Sequence, residues 1–399
     1  MLLYFSKNII VIEVHFATDV ARGCRSRLSA DAEGIVPKSR RSAAACAGPG
    51  VQSPRIVIII DGELSVIVHN WVSWRLYYIT ITAGFQPVFS FYYDILVREV
   101  TKMSKFKKSV FTGAATAIIT PFKDGKVDYA SFGNIIEDQI RGGIDAIVVA
   151  GTTGEAATLT HEEHCECIEY VVNKVEGRVP VIAGTGSNDT AYANELSKFA
   201  CDVGADALLL VTPYYNKATP KGLIKNFLDT AEKTDKPIIL YNVPSRTGCN
   251  ISLPVYRELA KHERIVAVKE ASGNISAIAE LIDECGDYFD IYSGNDDQIV
   301  PIMSLGGKGV ISVLSNLLPK ETHDICALCA ENNYTDAATM QLKYLKLINA
   351  LFCEVNPIPV KTAMAALGFC SEEMRLPLCE MEDTNREKLI NAMKAHGLI

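Results

Sequence analysis

A (β/α)8 TIM barrel with a C-terminal helical extension is the fold class that the sequence predicts from Met103 onward, and three observations predict it. Eight short runs rich in Val, Ile and Ala recur within residues 103–318, each of the length of a fully buried strand. The stretches between them repeat their apolar residues with a helical period. Beyond residue 318 the strand runs cease and only the helical pattern continues. Alternating β and α units call for a parallel sheet with helical crossovers, and eight of them allow that sheet to close on itself. A doubly wound open sheet is the alternative.

The elements follow in order. GAATAII (113–119) opens the series, and Tyr129, Phe132, Ile136 and Ile140 then fall on one helical face. DAIVVAG (145–151) is next, followed by a helix that Thr160 and Glu163 mark with a capping box and that Ile168, Val171, Val172 and Val175 make amphipathic. VPVIAG (179–184), DALLLVTP (206–213) and PIILYNVP (237–244) follow, the last two ended by proline, which cannot donate to a ladder. IVAVKEA (265–271), FDIYSG (289–294) and KGVISVL (308–314) complete the eight. In residues 319–399, Leu342, Leu345, Ile348 and Leu351 mark the apolar face of one terminal helix.

Residues 1–102 have a different character and an uncertain structure. They hold both tryptophans, Trp71 and Trp74, an Arg/Ser/Ala-rich stretch at Arg22–Ala47, and an uncharged run at Leu76–Tyr93 that Gln86 and Pro87 interrupt. The expectation is that Met103 is the natural start and that this segment is an upstream extension, spurious or poorly ordered. The whole chain has 399 residues, 48% of them hydrophobic and 22% charged, as in soluble globular proteins. Its net charge of -8 offers no basic surface for nucleic acid or anionic lipid, so neither is expected as a partner. The 12 cysteines are scattered and irregularly spaced, which fits reduced thiols in the cytoplasm rather than a disulfide framework.

The chemistry gathers where strands end, since side chains there face the mouth of such a barrel. Lys269 closes a run of apolar residues in which a buried ammonium would lose hydration worth several kcal/mol. Counting by twos puts Ile265, Ala267 and Lys269 on one face, with Lys269 at the upper rim. Other strand ends bring Thr152 and Thr153, Tyr214 and Tyr215, Tyr241 and Arg246, and Gly294. An amine among tyrosines and apolar walls suits nucleophilic attack on a carbonyl, because desolvation favours the neutral form of an ammonium group. Hydroxyls of Tyr and Thr can relay the protons of Schiff-base chemistry. The GTTG turn (151–154) offers backbone N–H groups and two hydroxyls to a keto-acid carboxylate, and Arg246 suits a second carboxylate.

Two other motifs carry less. HEEHCEC (161–167) lacks the spacing that sets two imidazoles around one metal, and Cys326 with Cys329 lies on a helix without a second pair, so no metal is expected. GTGSND (184–189) misses the third glycine of a dinucleotide fingerprint. No cofactor is expected beyond the covalent Schiff base on Lys269.

From about Phe106 to the C-terminus the chain resembles the 4-hydroxy-tetrahydrodipicolinate (dihydrodipicolinate) synthase family of pyruvate-dependent class I aldolases. The resemblance is carried in order by AIITPF (117–122), GTTGE (151–155), VIAGTG (181–186), VTPYYNK (211–217), YNVPSRTG (241–248), VKEASG (268–273), GGKGVISV (306–313) and NPIPVK (356–361). It implies condensation of pyruvate with L-aspartate 4-semialdehyde in the diaminopimelate route to lysine. It further implies that Lys269 forms the Schiff base, Tyr241 transfers protons at the imine, and Thr152 relays them with Tyr215 from a neighbouring subunit of a homotetramer built as a dimer of dimers. Thr153 would then hold the pyruvate carboxylate and Arg246 the semialdehyde's, with Gly294 and Ile311 lining the pocket through their backbones.

His161, His164, Asn188, Ala157 and Tyr214 stand where lysine-binding members have contacts. Tyr192 replaces a glutamate common in lysine-sensitive enzymes, so lysine inhibition is not expected. N-acetylneuraminate lyase or another pyruvate aldolase is the nearest alternative, disfavoured by Arg246. A non-catalytic keto-acid-binding barrel is disfavoured by the intact set of Lys269, Tyr241, Thr152, Tyr215 and Arg246.

Overall fold

A computed structural model describes residues 109–399 throughout and, before them, the strands Leu2–Ser6 (β1), Ile9–Glu13 (β2), Arg55–Asp61 (β3), Glu63–Asn70 (β4) and Arg75–Ile81 (β5). The chain divides between Met103 and Ser104 into two units. In the first unit the five strands pair in chain order as an antiparallel sheet, and β3 contains the IVIII run. The Arg22–Ala47 stretch lies outside the described residues, as does the Leu76–Tyr93 run beyond β5. Among the described residues no helix is long and apolar enough to cross a membrane.

In the second unit all eight strand runs form strands, each somewhat shorter than its apolar run. They are β6 (Gly113–Ala117), β9 (Ala146–Val149), β10 (Val181–Gly184), β11 (Ala207–Val211), β12 (Ile238–Asn242), β13 (Ile265–Glu270), β14 (Asp290–Ser293) and β15 (Gly309–Ser312), and they close into one parallel barrel. A short hairpin, β7 (Phe122–Lys123) with β8 (Lys126–Val127), follows the first barrel strand. Thr160 and Glu163 form the capping box that their spacing predicts, at the head of the helix His161–Val175. Helix Pro319–Ala330 packs on β6 and β15 as the eighth crossover, and the helices Tyr334–Leu351, Ile358–Ala366 and Asp383–Ala395 lie beyond the ring.

Alternation along the strands produces two apolar layers. Ala115, Ala117, Val148, Ile182, Leu209, Ile239, Tyr241, Ala267, Tyr292 and Ile311 fill the interior, while Ile147, Leu208, Leu240, Val268 and Val310 pack outward against the helices. Strict counting fails at one place. The pairing of β12 with β13 skips a residue, Ile238 opposing Ile265 and Ile239 opposing Ala267. That bulge turns Ile265 into the outer layer and leaves Ala267 facing in, where Lys269 follows it two residues on.

The terminal helix Tyr334–Leu351 also departs from the sequence pattern: Leu342 is 63% exposed, and the buried positions include Gln341, Tyr344, Ile348 and Leu351. Gln341 takes the inward position because its amide accepts from Val300 N–H (2.9 Å) and donates to the Asp297 carbonyl (2.8 Å).

Barrel closure rests on glycine. At the β15–β6 seam Gly309 opposes Gly113, and a Cβ on Gly309 (φ 151°) would stand 1.8 Å from the Gly113 carbonyl oxygen. Gly309→Ala is therefore expected to cost on the order of 3 kcal/mol or more in urea unfolding followed by circular dichroism. Gly143→Ala, at φ 83° with nothing within 4 Å, should cost only the backbone penalty of about 1–2 kcal/mol.

Candidate active site

Lys269 lies at the upper end of β13, faces the interior and is 7% exposed. Tyr241 on β12 is its register partner, and the Lys269 Nζ stands 4.3 Å from the centroid of that ring. On the other side its partner is Tyr292, whose hydroxyl donates to the Phe111 carbonyl (2.7 Å) and whose ring stacks on Phe111 at 4.2 Å. Aromatic rings thus occupy the barrel interior around the amine. Gly294 follows β14, and a Cβ there would come within 3.2 Å of Lys269 Cε and 2.6 Å of Ala271 Cβ. Any larger residue would push the lysine aside. Ile311 joins the same interior layer from β15.

Alternation also disposes of the nearest carboxylate in the chain. Glu270 follows Lys269 directly, yet its side chain points outward and is held by Tyr256 O–H (3.1 Å), Asn242 Nδ2 (3.0 Å) and Ser272 N–H (2.8 Å). Its charge does not lie against the amine. A second acid, Asp296, accepts from the N–H groups of Val313 (3.1 Å) and Leu314 (2.9 Å), tying the end of β14 to the end of β15. Burial raises its carboxyl above the usual carboxylate range. Sequence reasoning missed it, because in NDDQ it reads as one polar loop residue among others.

Thr152 and Thr153 sit on the tight turn after β9, which Ala150 enters at φ 52°. The Gly154 and Glu155 N–H groups are used inside the turn, bonding the Gly151 and Thr152 carbonyls at 3.1 Å each. Those of Thr152 and Thr153 have no internal acceptor among the described residues. Thr120 fixes the turn from β6's side by donating to the Gly154 carbonyl (2.7 Å).

The residues beyond the ring reach back to this turn. Asn356 Nδ2 donates to Thr153 Oγ1 (3.0 Å), and the Asn356 carbonyl accepts from Arg246 Nη2 (3.2 Å). Lys361, fully buried, pairs with the equally buried Glu155 at 2.6 Å and also donates to the Glu373 carbonyl (2.7 Å). Burial lowers the Lys361 ammonium below its ordinary value, with Glu155 opposing that shift. Arg375 makes a bidentate pair with Glu163 and gives its backbone N–H to Glu155. Sequence reading gives Asn356, Lys361, Arg375 and Glu155 no role of their own, although Asn356 and Lys361 both lie in NPIPVK and Glu155 ends GTTGE.

The remaining candidates lie apart. Tyr215 is 91% exposed and takes φ 69°, so it does not enter the pocket of its own chain. Tyr214 beside it is at the surface, and the Asn188 carbonyl accepts from Asn216 Nδ2 (2.9 Å) in the same loop region. His161 meets the Tyr192 ring edge-on (5.7 Å) and lies 3.9 Å from Glu195. His164 instead turns inward, where its Nε2–H donates to the Gly184 carbonyl (2.9 Å) and burial lowers its pKa to about 4. No group of His, Cys, Asp and Glu suited to a metal occurs among the described residues.

A buried amine at the upper end of a (β/α)8 barrel strand, walled by a tyrosine, with a paired-threonine turn after the strand opposite in the ring, defines a Schiff-base-forming enzyme of the class I aldolase type. Residues 110–396 match the Dihydrodipicolinate synthetase family, and the chain belongs to it. It is 55% identical to the 4-hydroxy-tetrahydrodipicolinate synthase of Lachnoclostridium phytofermentans over 293 residues, covering 73% of this chain and 100% of that one. The structure is similar to that of dihydrodipicolinate synthase from Aquifex aeolicus (TM-score 0.71, 46% identity, covering 72% of this chain and 99% of that one). It is equally similar to the chloride-inhibited dihydrodipicolinate synthase from Acinetobacter baumannii complexed with pyruvate (TM-score 0.71, 44% identity, covering 72% and 99%).

Two outcomes follow for stability. Lys361→Met strands the Glu155 carboxylate without a counter-charge and is expected to cost about 3–5 kcal/mol in thermal unfolding, part of which Glu155→Gln in the same chain should restore. His164 stays neutral in the fold while the unfolded chain takes up its proton near the ordinary value of 6.5. Its contribution is therefore complete above that pH and is lost as pH falls toward about 4, to the extent of about 3 kcal/mol. His164→Gln should flatten this decline in urea midpoints measured between pH 7 and 4.5.

Proposed function

We propose that Lys269, Tyr241, Thr152 and Tyr215 carry out the chemistry, and that Thr153, Arg246, Gly294 and Ile311 hold the substrates. The observation that carries this is the buried Lys269 amine, 4.3 Å from the centroid of the Tyr241 ring and beside the only residue type that Gly294's position admits. As a member of its family the enzyme condenses pyruvate with L-aspartate 4-semialdehyde through a Schiff base in the route to lysine.

The Lys269 nitrogen adds to the pyruvate ketone carbon, and loss of water gives the iminium. Removal of a proton from the neighbouring methyl carbon gives the enamine, whose carbon attacks the aldehyde. The amino group of the bound semialdehyde then adds to the iminium carbon and expels Lys269, closing the ring. Tyr241 and Thr152 move the protons, and Thr153 anchors the keto-acid carboxylate. Arg246 pairs with the carboxylate of the semialdehyde. Tyr215, exposed and held in a left-handed conformation costing about 1–3 kcal/mol, acts in a neighbouring subunit of a homotetramer. Ten cysteines among the described residues are unpaired, which supports a reducing, cytoplasmic setting. Tyr192 meets His161 edge-on and brings no carboxylate of its own to pair with an ammonium, which supports a weakened response to lysine.

Borohydride reduction in the presence of pyruvate should add a three-carbon unit to Lys269, located by peptide mass spectrometry, and Lys269→Ala should lose both adduct and turnover. Tyr241→Phe should lower kcat by about 10²–10⁴. An unmodified wild-type lysine, or faster turnover with N-acetylmannosamine than with the semialdehyde, would count against the assignment.

A further inference from the structure

The Asn356 side chain is buried, 6% exposed, and comes from outside the barrel ring. Its Nδ2 meets Thr153 Oγ1 at 3.0 Å, while its Oδ1 has no hydrogen-bond partner among the described residues. Leaving a buried amide oxygen unpaired costs the fold stability, and such costs persist where the geometry serves a task. The task is legible in the inventory of a hydroxyl. Threonine offers one O–H donor and two lone pairs, and an amide N–H directed at Oγ1 occupies a lone pair. The hydroxyl proton is then left to point elsewhere. A carboxylate has only acceptors to offer, so it needs that proton.

We propose that Asn356 is a positioning residue for the keto acid: its amide N–H holds the Thr153 hydroxyl as a donor toward the carboxylate of pyruvate. The inference rests on the role given to Thr153 above and deepens it. Arg246 is braced by the Asn356 backbone carbonyl, not by the side chain, so a side-chain substitution leaves that contact in place. The two substrates should therefore respond differently.

The test compares Asn356→Ala and Asn356→Asp in the full chain, with pyruvate and semialdehyde KM measured separately and thermal unfolding followed alongside. Alanine removes the brace, and the pyruvate KM should rise roughly 3–10-fold, with kcat within about threefold of wild type. Aspartate has the shape of asparagine but accepts the Thr153 proton and repels the incoming carboxylate, so its pyruvate KM should rise further, about 30-fold or more. The semialdehyde KM should move less than about twofold in the alanine variant. A role in packing alone predicts the reverse order, with isosteric aspartate milder than alanine; that order, or equal effects on both substrates, would overturn the proposal.

Should the alanine variant fail to fold, Asn356→Asp is compared in wild-type and Thr153→Val backgrounds. The aspartate penalty should shrink several-fold without the hydroxyl, and an undiminished penalty overturns the proposal. Absence of any borohydride-trapped pyruvate on wild-type Lys269 would instead overturn the reading of function on which it stands.

Discussion

An amine sealed inside a barrel of apolar side chains is the constraint around which the second unit is organised. In water an ammonium group is cheap; among Ala267, Ile239 and Tyr292 it loses hydration worth several kcal/mol, which its surroundings must offset. The surroundings of Lys269 follow from this. A tyrosine face lies against the nitrogen, small residues clear its path, and the adjacent Glu270 is turned to the outer layer and held there by Tyr256, Asn242 and Ser272. A carboxylate against the amine would favour its charged form and blunt it as a nucleophile. The period-two geometry of a strand achieves the separation without any special device.

Around this centre the contacts divide by distance along the chain. The neighbours of Lys269 in the sheet come from adjacent strands, and their placement follows from strand order and register alone. The paired-threonine turn is different, because its supports are recruited from 203 and 206 residues away, by Asn356 and Lys361. A buried ion pair of this kind is weak evidence of added stability, since desolvating both charges offsets most of their attraction. Its stricter consequence is geometric: with Glu155 fixed at φ 53° by Lys361 and by the Arg375 N–H, the turn has little freedom to relax.

This division also governs how much was legible in the sequence. The eight strands were readable because each is a short apolar run bounded by glycine, proline or polar residues, and Lys269 stood out because a lysine breaks such a run. The bulge in β13 was not readable, since nothing in IVAVKE distinguishes a skipped ladder position from an even alternation, and Ile265 was accordingly placed on the wrong face. Leu342 was assigned to a buried stripe that Gln341 occupies, because hydrophobicity ignores an amide that finds two backbone partners. Asn356 and Glu155 carry their roles through long-range pairing, for which one sequence holds no local signal.

The reach of residues 356–375 across the barrel mouth bears on what the smallest working version of this enzyme is. A designer trimming the polypeptide to eight strands and eight helices would retain Lys269 and Tyr241 yet amputate the supports that Asn356 and Lys361 give to the paired-threonine turn. The unit that fixes this turn is thus larger than the eightfold ring, and helices that look like an appendage belong to it.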